Sequence, residues 1–148
     1  MVTRLPRLLS SLALSCLLIL SLSGCSQDPY TTSLKGSAGV ADAVHGAIKI
    51  TVSYYSTGKL NDQKKAQVAG VLNIVTDCNM TFRKSVVDAH NAGLTGVESF
   101  LPIADGFVHC AQMAPQVKTD PAVFNILKSV DTAINGVSLA VASAKGKK

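Results

Sequence analysis

The chain has 148 residues, 47% of them hydrophobic and 16% charged, with a formal net charge of +5, four cysteines and no tryptophan. This length fits one domain, and a mean hydropathy of +0.31 excludes an intrinsically disordered chain, because disorder goes with low hydrophobicity and high net charge. Part of that hydrophobicity does not belong to a fold, since it is concentrated in the first 24 residues.

Residues 1–24 read as an export signal: Arg4 and Arg7 supply the positive start, and Leu8 to Leu22 form the apolar stretch. The run is too short to span a membrane, which takes roughly 20 apolar residues, and it is interrupted by Ser10, Ser11, Ser15 and Ser21. The following Leu22-Ser23-Gly24-Cys25 resembles the bacterial lipobox, the recognition sequence of envelope lipoproteins. The resemblance covers residues 1–26 and implies cleavage before Cys25 and diacylation of its thiol. It also implies a place in the cell envelope, with Ser26 directing the product to the outer membrane in a host with two membranes. Two or more acyl chains hold a protein stably, each buried methylene contributing about 0.8 kcal/mol.

Loss of Arg4 and Arg7 leaves 12 Lys plus Arg against nine Asp plus Glu, and Lys145, Lys147 and Lys148 account for the excess. The body is therefore near neutral, and no nucleic-acid partner is expected. Residues 25–37 read as a lipidated N-terminus and polar tether, 38–144 as the folded domain and 145–148 as a basic tail.

The domain carries four segments with helical spacing. The first, 38–57, aligns Ala41, Val44, Ile48, Thr51 and Tyr55. Residues 48–54 also alternate as a strand would, but no other segment offers a partner strand, so helix is preferred. Gly58 ends it. Asn61 caps a second helix over 62–92, with Val68, Val71, Val75, Cys78, Phe82, Val86 and Ala89 on one face and Gly93 as its stop. Thr95 to Glu98 has capping-box spacing for a third helix over 97–114, aligning Phe100, Ile103, Phe107, Cys110 and Ala114. Pro102 lies about a turn inside it, and Pro115 closes it. Thr119-Asp120-Pro121 opens a fourth helix over 120–143 with Val123, Leu127, Val130, Ile134, Val137 and Val141 as its seam. Short connections between four amphipathic helices predict an all-α, antiparallel up-down bundle.

Cys16 leaves with the signal and Cys25 takes lipid, so Cys78 and Cys110 are the thiols left to pair in an oxidising compartment. Both lie 16 residues from Leu94, the centre of the second turn, so an antiparallel hairpin brings them level. A disulfide between them is expected.

Candidate chemistry is sparse. Asp42 and His45 have the i, i+3 spacing of helical-bundle metal ligands, and Asp105 and His109 the i, i+4 spacing. At about 100° per residue, however, Asp105 and His109 lie about 160° from Phe107 and point to water. His90, in the last turn of the second helix, suits the negative end of the helix dipole. No catalytic residue, metal site or cofactor is expected. Tyr54, Tyr55, Lys64, Lys65, Arg83 and Lys84 are candidates for a contact surface, and Asn79-Met80-Thr81 matches a glycosylation sequon within a helix. These readings point to a membrane-anchored, non-enzymatic interaction or scaffold module, held to the membrane by Cys25 and meeting another envelope protein. The alternative is a small-molecule or lipid-binding bundle using space left by Gly70, Gly106 and Gly136.

Overall fold

The computed structural model describes residues 28–114 and 120–144. The signal segment, Cys25, Pro115 and the basic tail 145–148 lie outside them. Four helices follow in order: α1 Pro29–Ser56, α2 Asp62–Asn91, α3 Val97–Gln112 and α4 Pro121–Ser143. They form an all-α, up-down-up-down bundle. Each helix packs chiefly on two neighbours, α1 on α2 and α4, and α3 on α2 and α4, with little contact across the diagonals.

The turns follow from their glycines. Gly58 and Gly93 have φ of 72° and 82°, conformations that side chains with a Cβ rarely adopt. After α1, the Gly58 amide donates to the Tyr55 carbonyl and the Lys59 amide to that of Tyr54. After α2, the Gly93 and Leu94 amides donate to His90 and Ala89. This is the paired closure of a Schellman motif, which satisfies carbonyls that the helix end would leave open. Asn61 caps α2 as its sequence predicts, accepting from the Lys64 amide at 2.9 Å.

Two helix starts differ from expectation. Residues 29–37, read as tether, are the first two and a half turns of α1. Asp28 is the N-cap, accepting from the Thr31 amide at 2.9 Å and the Thr31 hydroxyl at 2.7 Å, and Pro29 follows at the first helical position. That cap-proline pair is the same signal that opens α4 at Asp120-Pro121, where Asp120 accepts from the amides of Ala122 and Val123. The small polar residues of 31–37 concealed it. At α3, Gly96 rather than Thr95 is the N-cap, and no side chain bonds to the cap amides. α3 continues past Pro102, which lies one turn in.

The α2 stripe is buried as read, with Leu72 added, and so is the α4 stripe except that Ile126 takes the place of half-buried Leu127. The α1 face is different. Pro29, Ser33, Ser37, Val40, Val44, Ala47 and Thr51 are buried, whereas Ala41 is exposed and Ile48 and Tyr55 are 46% and 39% exposed. The cause is a close crossing. A Cβ built on Gly36 would stand 3.3 Å from Val137 Cγ2, so α1 turns its small side chains, rather than its isoleucines, toward α4. The buried hydroxyls of Ser33 and Thr51 donate to Pro29 and Ala47 carbonyls at 2.7 Å, which removes the penalty of burying them. In α3, Phe100, Ala104, Phe107 and Ala111 face the core, while Ile103 and Cys110 sit at its edge.

Candidate functional site

Cys78 and Cys110 form a disulfide with Cα atoms 5.9 Å apart. Equal helical rise on either side of the turn brings them level, and the rings of Phe82 and Phe107 stack beside them at 5.0 Å. The bond therefore ties the middle of α2 to the last turn of α3.

The proposed chemistry-bearing groups are not assembled. Asp42 and His45 are exposed on α1. Asp105 does not simply face water: it accepts a hydrogen bond from the Ser138 hydroxyl, linking α3 to α4, and His109 remains exposed. Among the described residues no group of three or more His, Cys, Asp or Glu is placed to hold a metal ion. A Cβ at Gly70, Gly106 or Gly136 would meet nothing within 4 Å, so no neighbouring helix is held close at these glycines. Asn79 is turned between helices, its amide donating to the Ser37 carbonyl at 3.0 Å, which ties α2 to α1.

Two surfaces do gather functional side chains, one at each end of the bundle. At the end where α1 starts, the His90 ring stacks on Tyr30 at 3.8 Å with planes 12° apart. Asp28, Tyr30, His90, Leu94 and Thr95 line a half-open pocket of about 290 Å³ there. Sequence reading missed Tyr30, because it placed that residue in the tether. The cap-proline signal at Asp28-Pro29 would have found it.

At the opposite end, the α1–α2 turn brings Tyr54 and Tyr55 together with Lys59 and Lys65. Lys59 Nζ lies 5.2 Å from the Tyr54 ring centroid and Lys65 Nζ 3.9 Å from that of Tyr55. The Tyr55 hydroxyl donates to Asp62 at 2.7 Å. That hydrogen bond, reinforced by the charge of Asp62, raises the Tyr55 phenol above its ordinary value. Lys64 is occupied by an ion pair with Asp120, which joins the start of α2 to the start of α4. Arg83 and Lys84 are not part of this cluster, and Lys84 pairs with Asp88 on α2. Ile48 and Val52, 46% and 61% exposed, extend the cluster along α1 in an apolar strip one helical turn apart. Among the described residues no helix is long and apolar enough to cross a membrane. No protein-family model, curated protein or solved structure matches this chain.

Proposed function

We propose that this chain is a bacterial envelope lipoprotein, anchored by lipid on Cys25, that acts as a non-enzymatic interaction or scaffold module for another envelope protein. The observation that carries the reading is Leu22-Ser23-Gly24-Cys25 directly after an apolar export signal. The Cys78–Cys110 disulfide supports it, because such bonds persist where thiols are not kept reduced. The partner-facing surface is the strip Ile48, Val52 and Tyr55 with Lys59 and Lys65, an apolar centre with a basic rim of the kind found at protein interfaces. Confinement to a membrane raises the effective concentration of such a surface toward other envelope components.

A photo-crosslinking residue at Val52, in the chain with Cys25 intact, tests this in native envelopes. A discrete crosslinked species is expected that is absent when the crosslinker is placed at exposed Ala41 and when Tyr55 and Lys65 are replaced by alanine. Labelling no different from that of an unrelated lipid-anchored protein would overturn the reading.

A further inference from the structure

The exposed apolar strip of α1 runs along its seam with α2. Two contacts mark the α2 side of α1: Asn79 donates to the Ser37 carbonyl, and the Tyr55 hydroxyl donates to Asp62. Ile48 follows Ser37 by about three helical turns and Tyr55 follows it by about five, so at about 100° per residue all three project within about 20° of one line. Val52 lies about 60° from that line, on the side away from Gly36, which faces Val137 of α4. Ile48, Val52 and Tyr55 are all exposed.

Lysines border the strip on both flanks. Lys65 of α2 stands over the Tyr55 ring, 3.9 Å from its centroid. Lys49, next to Ile48 and one turn before Val52, is exposed on the outer side of α1. Lys59 closes the end at the α1–α2 turn, over Tyr54. Among the described residues none of these lysines has an ion-pair partner, whereas Lys64 and Lys84 do. The carboxylates nearest to them are engaged or distant: Asp62 accepts from Tyr55, Asp120 is held by Lys64, and Asp42 lies more than a turn and a half before Ile48. The strip is therefore an apolar line of about two turns with a positive border.

We propose that this seam receives an acidic amphipathic helix of another envelope protein, its apolar side chains seated on Ile48, Val52 and Tyr55 and its carboxylates meeting Lys49 and Lys65. The proposal rests on the reading of this chain as an interaction module, and it names the chemistry of the partner. Anchors spaced i, i+4 and i+7 are the pattern by which one helix is read against another. Charge complementarity selects the sign of the partner. It also disfavours a second copy of this chain, because a two-fold contact sets the same patch against itself and brings lysine border onto lysine border. A strip one side chain wide and bordered on both flanks matches the face of a helix more closely than the plane of a bilayer. The Tyr55 hydroxyl is tied to Asp62 and its ring lies under Lys65, so part of the border is ordered before a partner arrives, which lowers the cost of binding.

The test identifies what lies on the strip. The full chain, with Cys25 intact and a photo-crosslinking residue at Val52, is irradiated in native envelopes, and the residue joined to position 52 is located by mass spectrometry. A segment of another protein is expected, with Asp or Glu within one helical turn of the joined residue. Lys49→Glu with Lys65→Glu should lower that product about tenfold, because reversed border charges slow the encounter with an acidic surface. Lys49→Arg with Lys65→Arg should retain it, and helical circular dichroism should be the same for all three chains. A product equally abundant in the charge-reversed chain, or joined to a segment without carboxylates, would overturn the acidic partner and leave the interaction module standing. A product joined to a second copy of this chain, or to lipid, would overturn the proposal in favour of that occupant. The absence of any discrete product would overturn the interaction module and this proposal with it.

Discussion

Asp28 and Asp120 show how single side chains set the ends of helices and the acid sensitivity of the fold. The Asp28 carboxyl is held below its ordinary value chiefly by the Thr31 hydroxyl and then by the Thr31 amide. That of Asp120 is lowered first by Lys64 and then by the Val123 amide. A carboxyl whose folded pKa lies below its unfolded value contributes stability above the unfolded pKa, and that contribution is lost as pH falls through the folded one. The denaturation midpoint should therefore be level above about pH 5 and decline at lower pH, and Asp28→Asn with Asp120→Asn should flatten the decline. Urea melts across that range check it, and an unchanged acid slope would refute the assignment. Asp28→Ala, which removes a cap, should cost about 1 kcal/mol in the same measurement.

At the same scale the disulfide has a separate effect. Closing a loop of 32 residues' separation stabilises a fold by about 3–4 kcal/mol in the chain-entropy view. Replacing Cys78 and Cys110 together by alanine should lower the unfolding free energy by roughly that amount, and the parent should lose a comparable amount in reductant. Mass spectrometry of the non-reduced chain provides an independent check: two alkylatable thiols at these positions after unfolding would contradict the bond.

At the scale of elements, glycines in the same helical context act in opposite ways. Gly36 marks the close crossing of α1 and α4, where a leucine would drive into Val137 and part the helices, whereas Gly70 opens on solvent. Gly36→Leu should lower the melting temperature by several degrees, an overpacking cost of about 1–3 kcal/mol. Gly70→Ala should raise stability by about 0.5–1 kcal/mol, because alanine gives up less backbone freedom on entering a helix. Equal shifts at the two positions would show that the crossing is not where α1 meets α4. The same crossing explains why the α1 face was misread. Apolar periodicity weighs Ile48 above Ser33, but at a tight interface volume and a satisfied hydroxyl decide, and the larger side chains are pushed outward.

At the scale of the whole molecule, the four helices of the described residues place the start of α1 and the end of α4 at one end of the bundle and the α1–α2 turn at the other. Cys25→Ser should leave a chain that is unprocessed or no longer retained by the envelope, with the helical bundle unchanged by circular dichroism. Fractionation and intact mass check this, and a Cys25→Ser chain that still partitions with detergent at the parent's processed mass would refute lipidation of Cys25. The sequence by itself determined the all-α class, the α2 and α4 faces, the glycine stops and the Cys78–Cys110 pairing, because each depends on local periodicity, caps or equal spacing about a turn. The start of α1 was also written locally, in Asp28-Pro29, but small polar residues hid it. Only the tertiary structure decided which face of α1 is buried, that Tyr30 stacks on His90, and that Lys59 and Lys65 meet the paired tyrosines. These depend on how close two helices approach, which is set by side chains far apart in sequence, such as Gly36 and Val137, and no local period records it.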